Sequence, residues 1–243
     1  HQRRARPPGA DPERPVKGLR VALDGPGSSG KSSVGAAAAV ELGYRFLDTG
    51  VVYRAITLAS EVHGIEPSDQ AALVAVVPQL SLRPDEHGNL RRVLLDGEDV
   101  TEQLHVPAVD RRVSAVSAQP LVRAALLAQQ REAATVGDVI LAGRDIGTVV
   151  LPDAELKLWL EVSVEERARR RAEQRGVPLE SETGQTILAD LRRRDHLDST
   201  RETAPLRIAE DAVIVTSDGR GFEETVAAVV EIIRRRAAQG TEA

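Results

Sequence analysis

Residues 24–33 read DGPGSSGKSS and come directly after the apolar run LRVAL. Gly25, Gly30, Lys31 and Ser32 satisfy the spacing G-x-x-x-x-G-K-[ST] of a phosphate-binding loop. The chemistry asks for those residue types. Glycines at 25, 27 and 30, with Pro26, Ser28, Ser29 and Ser33 filling the rest, let the backbone curl until several N–H groups converge on one anion. The helix that follows adds the positive end of its dipole. Lys31 would reach the β and γ phosphates of ATP, and the Ser32 hydroxyl would sit on the accompanying Mg2+. A flexible connector needs no lysine, and Lys17, Lys31 and Lys157 are the only lysines in 243 residues.

Three more stretches carry candidate chemistry. DTGVVYRA (48–55) opens a helical pattern, with Thr49 expected as its N-cap and Tyr53 and Arg54 turned toward the same crevice. AGRDIGTVV (142–150) sets Arg144 and Asp145 immediately after an apolar run. Those two read as an anion contact beside an acceptor, or as an internal salt bridge. LRRRDHLDSTR (191–201) spaces Arg194, Asp198 and Arg201 at i, i+4 and i+7, on one helical face. In VEERARRRAEQR (164–175), Arg167, Arg170 and Arg171 share a face by the same count. A charged helix face often serves solvation alone. Two of them flanking the small, polar segment RGVPLESETGQT suit a clamp for migrating phosphoryl oxygens beneath a mobile lid, about 173–190.

These groups need a scaffold that brings them together. Five apolar runs, LRVALD (19–24), YRFLD (44–48), DVILAG (138–143), ELKLWLEV (155–162) and DAVIVTS (211–217), alternate with helical patterns. That alternation predicts an α/β fold of three layers around a five-stranded parallel sheet, in which ligands bind beyond the carboxyl ends of the strands. From about 76 to 110, LSLRP and LRRVLLDGEDV flank DEHGN. This reads as a β-hairpin too exposed in pattern for the main sheet, hence a small inserted unit. Residues 1–17 hold four prolines and five Lys or Arg side chains and read as a disordered tail; 18–236 form one domain, and 237–243 a C-terminal tail.

Composition narrows the function. A net charge of −5 argues against a protein that coats nucleic acid, while arginines crowded into two segments suit a small anionic ligand. No cysteine is present, which excludes disulfides and thiolate chemistry, and the five histidines lack metal-ligand spacing. No apolar run approaches a membrane span, so a cytoplasmic protein is expected. The chain has no methionine, as a processed or trimmed chain would. A GTPase switch would read guanine with N-K-x-D, but Leu90 follows the lone Asn89.

Across roughly residues 18–236 the chain resembles the bacterial cytidylate kinases, nucleoside-monophosphate kinases of the P-loop class. GPGSSGKSS, LDTGVVYR, LDGEDVT, GRDIGTVVLPDA and RRRDHLDSTR carry the resemblance in family order. It implies ATP- and Mg2+-dependent phosphorylation of CMP and dCMP by a monomer, with another monophosphate such as UMP as the alternative substrate. It implies that the inserted hairpin is a monophosphate-binding unit, that Thr49 touches the nucleotide and that Arg54 meets the monophosphate. Ser114 and Arg123 would read the cytosine edge, and Asp145 would accept from the cytosine amino group. Arg144 would contact phosphate; Arg194, Asp198 and Arg201 would clamp phosphate and ribose. Val52, Leu151 and His105 depart from the family's usual Met, aromatic and Arg.

Overall fold

The computed structural model describes residues 19–87, 89–135 and 137–241; the expected tail over 1–17 lies outside them. Strand β1 (Arg20–Asp24) leads through the phosphate-binding sequence into α1 (Lys31–Leu42), then β2 (Arg45–Asp48) and α2 (Thr49–His63). After α3 (Gln70–Val76) come the short strands β3 (Leu80–Pro84), β4 (Leu90–Leu95) and β5 (Glu98–Asp99), then α4 (Pro107–Ser117) and α5 (Pro120–Glu132). The chain returns to the sheet as β6 (Val139–Gly143) and β7 (Leu156–Glu161), continues through α6 (Val164–Gln174) and α7 (Glu182–Thr200), and ends with β8 (Val213–Thr216) and α8 (Phe222–Thr241).

The strands lie in the order β3-β4-β2-β6-β1-β7-β8, and the five from β2 to β8 are parallel. They are the five apolar runs of the sequence. In β1, β6 and β7 the continuous hydrophobicity follows from helices covering both faces, whereas the edge strand β8 leaves Val213 and Ile214 exposed. On one face Val34, Phe46, Leu158, Leu160, Val229 and Ile233 join α1 and α8 to the sheet. A second cluster, with Ile56, Leu73, Leu104, Val116 and Leu126, packs α2 to α5 together. With only 2% aromatic residues, close approach replaces bulk. A Cβ on Gly35 of α1 would stand 2.5 Å from the Phe46 ring, so a glycine there lets the helix settle on the sheet.

Three expectations change. The hairpin belongs to the main sheet: β4 pairs with β2 in parallel through Leu47 and Leu90, and β3 and β5 flank β4 antiparallel. Its residues look solvated because the junction is one residue pair long. The expected C-terminal tail is helix as far as Thr241, since Val229, Val230 and Ile233 bury the apolar face of α8 and carry its last turns with them. The predicted interruption between the arginine-rich helices also shortens, as α7 already begins at Glu182 with Ser181 capping it.

Strand register aligns the chemistry. Asp24 pairs with Gly143, and Asp48 with Ala142. The ends of β1, β2 and β6 are therefore level, and the three loops that leave them open on one crevice.

Candidate active site

The crevice is a cavity of about 300 Å3. One end is the phosphate loop. A Cβ on Gly25, whose φ is 157°, would sit 2.6 Å from the Leu160 carbonyl oxygen, so only glycine lets the loop leave β1 against β7. Gly30 has φ 91° and precedes α1 without a side-chain cap. The first N–H groups of α1 thus keep their donors available for an anion. Ser28, at φ 59°, holds a conformation unusual for a residue with a side chain.

Lys31 folds back into the loop, its Nζ donating to the Pro26 carbonyl at 2.7 Å and to Ser29 Oγ at 3.1 Å. It is 7% exposed. Burial first and the Arg144 charge second push it down to about 7, against the pull of Asp48 and Asp24. Asp24 lies 5% exposed at the end of β1. Its two oxygens accept from the Ile146 and Gly147 N–H groups at 2.9 and 2.7 Å. Burial raises it to about 6 in spite of those bonds. Its work is to tie the phosphate loop to the wide helical turn Ile146–Val150 that follows Arg144 and Asp145.

Asp48, not Thr49, caps α2: its Oδ1 accepts from the Gly50 N–H at 2.9 Å, and its Oδ2 accepts from the Ser32 hydroxyl. Thr49 is the first helical residue, and its hydroxyl donates to the Ala142 carbonyl at 2.9 Å, because the register sets the two strand ends side by side. The Ser32–Asp48 pair suits Mg2+, which takes one or two protein oxygens and completes its shell with phosphate and water. Among the described residues no cluster of three His, Cys, Asp or Glu could hold a metal without such help.

Cations line the middle of the cavity. Arg144 pairs with buried Asp198 of α7, which sinks the alternative of an Arg144–Asp145 bridge. Burial opposes the ionisation of Asp198, but Arg144 more than offsets it and holds the carboxyl low. Arg54 donates to the Leu104 carbonyl at 2.7 Å and to Asp110 at 2.9 Å. Asp110 of α4 also takes Arg171 and Arg194, the latter at 3.2 Å. Burial works against its charge, yet the three guanidinium groups keep it ionised. Arg194 is pushed down to about 10, by burial and then by Arg144 and Arg54, and its buried Nε has no hydrogen-bond partner. Arg167 is a strut as well as a cation: it donates to the Gly27 carbonyl at 2.8 Å and pairs with Asp195 of α7. Arg170 reaches the Ser217 carbonyl at 2.9 Å.

The far end differs. Asp145 is gripped by Arg123 on one oxygen and has Arg201 3.7 Å from the other. Arg123 also donates to the Ser117 carbonyl at 3.0 Å and lies 5.4 Å over the Tyr53 ring. Ser114 is buried on the same face of α4 as Ser117.

Every expected substrate residue (Thr49, Tyr53, Arg54, Ser114, Arg123, Arg144, Asp145, Arg194, Asp198, Arg201) lines this one cavity, as do Arg167, Arg170 and Arg171. Of the loop, Ser28 to Ser33 line it, whereas Gly25, Pro26 and Gly27 are not among its lining residues. Sequence reasoning overlooked Asp48, Ser117, Asp24 and Asp110. Asp48 ends a strand just as Arg144 follows one, and Ser117 lies one turn beyond Ser114, so both were within reach. Nothing local marks Asp110. His105 also lines the cavity. Burial and then Arg54 lower it, so it adds no positive charge at neutral pH.

Comparison with known proteins agrees on the family. The cytidylate kinase family model matches residues 21–235. The chain is 44% identical over 223 residues to the cytidylate kinase of Geobacillus kaustophilus, covering 90% of this chain and 97% of that one. It is 45% identical over 217 residues to the cytidylate kinase of Mycobacterium leprae, covering 89% and 96%.

Proposed function

The chain belongs to the cytidylate kinase family, and on that premise we propose that it transfers the γ-phosphoryl group of ATP to CMP and dCMP. The supporting observation is the polarity of one cavity. An uncapped helix N-terminus with Lys31 stands at one end, a carboxylate held between two arginines at the other, and arginines fill the interval. That is the layout for two phosphate-bearing substrates laid end to end, one of them a base with an amino group.

The phosphate loop, from Gly25 to Ser33, would cradle the ATP phosphates with its N–H groups, and Lys31 would bridge the β and γ phosphates. Ser32 and Asp48 would hold Mg2+, which offsets charge on those phosphates. A CMP phosphate oxygen attacks the γ phosphorus in line, the bond to the β–γ bridging oxygen breaks, and ADP leaves with that electron pair. The acceptor oxygen is already anionic, so no general base is required; alignment and charge neutralisation do the work. Arg54, Arg144 and Arg194 would orient the acceptor phosphate, with Asp198 positioning Arg144. Arg167, Arg170 and Arg171 would close on the transferred group as the segment about 173–190 folds over as a lid, excluding water. Thr49, Tyr53 and Arg201 would wall the nucleotide, with the inserted hairpin supporting its site from below.

Cytosine presents an amino donor that an ionised carboxylate accepts and that uracil lacks. We assign that contact to Asp145, while Arg123 would donate to N3 and O2 and Ser114 would serve either edge. No described helix is long and apolar enough to cross a membrane, and the same reading expects a cytoplasmic monomer acting on small molecules. A coupled assay of ADP release with CMP, dCMP, UMP, AMP, GMP and shikimate tests the proposal. CMP and dCMP are expected to be used best. Equal use of UMP would remove the base-reading role, and use of shikimate alone would overturn the proposal.

A further inference from the structure

Behind the catalytic cavity lies a second one of about 180 Å3, between α4, the end of α6 and α7. The two share only Arg171 and Arg194 in their linings. Both of those arginines pair with Asp110, so one carboxylate and two guanidinium groups form the partition. The second cavity is lined by Arg111, Arg171, Arg175, Arg193 and Arg194 against only Asp110 and Asp190. Asp110 is already committed to three arginines, and Asp190 meets Arg193 at a long 3.5 Å. Among the described residues neither Arg111 nor Arg175 has an ion pair. In the partition itself, Arg194 is almost wholly buried and its Nε has no hydrogen-bond partner. Surplus positive charge on the exposed Arg111, Arg175 and Arg193 thus rims a cavity whose inner wall includes Arg194, a buried residue with an unmet donor.

We propose that this cavity is a second anion site, taking inorganic phosphate or pyrophosphate, bound by Arg111 and Arg175 with Arg193 and the outward edges of Arg171 and Arg194. Its volume falls below the roughly 300–1,000 Å3 of pockets that take whole organic ligands, which favours a small tetrahedral anion. Guanidinium forks match phosphate oxygens in pairs. The site joins three elements, since Arg111 stands on α4, Arg175 follows α6 and Arg193 stands on α7. An anion there competes with Asp110 for Arg171 and Arg194 and draws them away from the reacting phosphates. Phosphate therefore slows turnover by a route that neither substrate relieves.

The test titrates inorganic phosphate calorimetrically into the full chain saturated with CMP and a non-hydrolysable ATP analogue, which fill the first cavity. One phosphate per chain is expected, with a dissociation constant in the millimolar range or tighter. The double variant Arg111→Gln/Arg175→Gln should bind it at least ten-fold more weakly. In the wild type, phosphate should lower kcat several-fold at saturation, and that loss should vanish in the double variant. Parallel titrations with pyrophosphate and with excess ATP separate a free anion from a nucleotide's phosphate tail. Absence of a bound phosphate, equal binding by the double variant, or tighter binding of ATP through the same arginines would each overturn the proposal. If thermal melting shows the double variant unfolded, the single variants Arg111→Gln and Arg175→Gln replace it, each expected to weaken phosphate several-fold. The binding arm reads heat, not catalysis, so its failure is distinguishable from failure of the kinase proposal.

Discussion

The two ends of the cavity handle positive charge in opposite ways. At the base end Arg123 and Arg201 converge on a single carboxylate, Asp145, and further bonds to Ser117 fix both arginines. At the phosphate end Lys31 and Arg194 are pushed down to about 7 and about 10 by burial and by each other's neighbours, and Arg194 keeps an unmet donor. The balance at the base end is closer but not complete, since burial and Arg123 also lower Arg201 and its buried Nη2 has no hydrogen-bond partner. At the phosphate end, among the described residues, Lys31 has no ion pair. The difference teaches where affinity and specificity come from. A carboxylate shared between two arginines discriminates between bases by geometry, whereas a buried lysine without a counter-ion binds charge and places it.

The largest effect should come from Lys31→Ala. Losing the cation between the β and γ phosphates should lower kcat by roughly three orders of magnitude or more, in a protein that circular dichroism shows folded. Near-normal turnover would break the contrast at once, because the phosphate end would then not need its stressed lysine.

Next is Arg171→Ala, the cleaner choice among the α6 arginines because Arg167 also supports the Gly27 carbonyl. We expect kcat to fall by about 10²-fold while the dissociation constant for CMP moves less than about three-fold, as befits a contact made only on closure. Weakened CMP binding with unchanged single-turnover chemistry would move Arg171 to the acceptor side.

Asp145→Asn sharpens the other half. Removing a carboxylate that two arginines share should destabilise the fold by about 3–5 kcal/mol, so the informative quantity is a ratio. The preference for CMP over UMP in kcat/KM should narrow by roughly one to two decades, since an amide can donate to the uracil O4. An unchanged ratio would make Asp145 a structural counter-ion only.

The smallest effect is on stability and has a definite sign. Lys31 titrates near 7 in the fold and at 10.5 when unfolded. Between those values the unfolded chain binds more protons, so this residue's destabilising contribution is full below pH 7 and fades as pH rises to 10.5. Lys31→Met should therefore melt a few degrees above wild type at pH 6.5, with the gain shrinking by pH 9. A variant that melts lower at pH 6.5 would show the lysine to be a supporting strut. Proton uptake on ATP binding at pH 8 should approach one in the wild type and disappear in the variant, as measured by calorimetry in buffers of different ionisation enthalpy.

Much was legible in the chain itself. Lys31, Ser32 and the glycines declare a phosphate site because the backbone must curl and a cation must follow it, which are local requirements. The central strands were legible because strands buried on both faces are continuously apolar, and β8 was legible from the same apolar run although Val213 and Ile214 stand exposed at the sheet edge. The arginine faces of α6 and α7 were legible because helical spacing alone puts 194 and 198 together; Arg201, expected on the same face, instead lies just past the end of α7 in extended backbone and reaches the cavity from there. Which charge meets which was not. Arg144 and Asp145 are neighbours in sequence, yet they turn to different partners, Asp198 and Arg123, because the wide turn after β6 sends adjacent side chains to opposite ends of the cavity. Asp110, in a stretch with no motif, becomes the hub of three arginines only because α4, α2, α6 and α7 meet there. The hairpin's place in the sheet turned on one pair, Leu47 and Leu90. Local backbone and periodicity rules are written along the chain, but electrostatic partnership depends on distance in space, and only the register of β1, β2 and β6 and the docking of the helices set those distances.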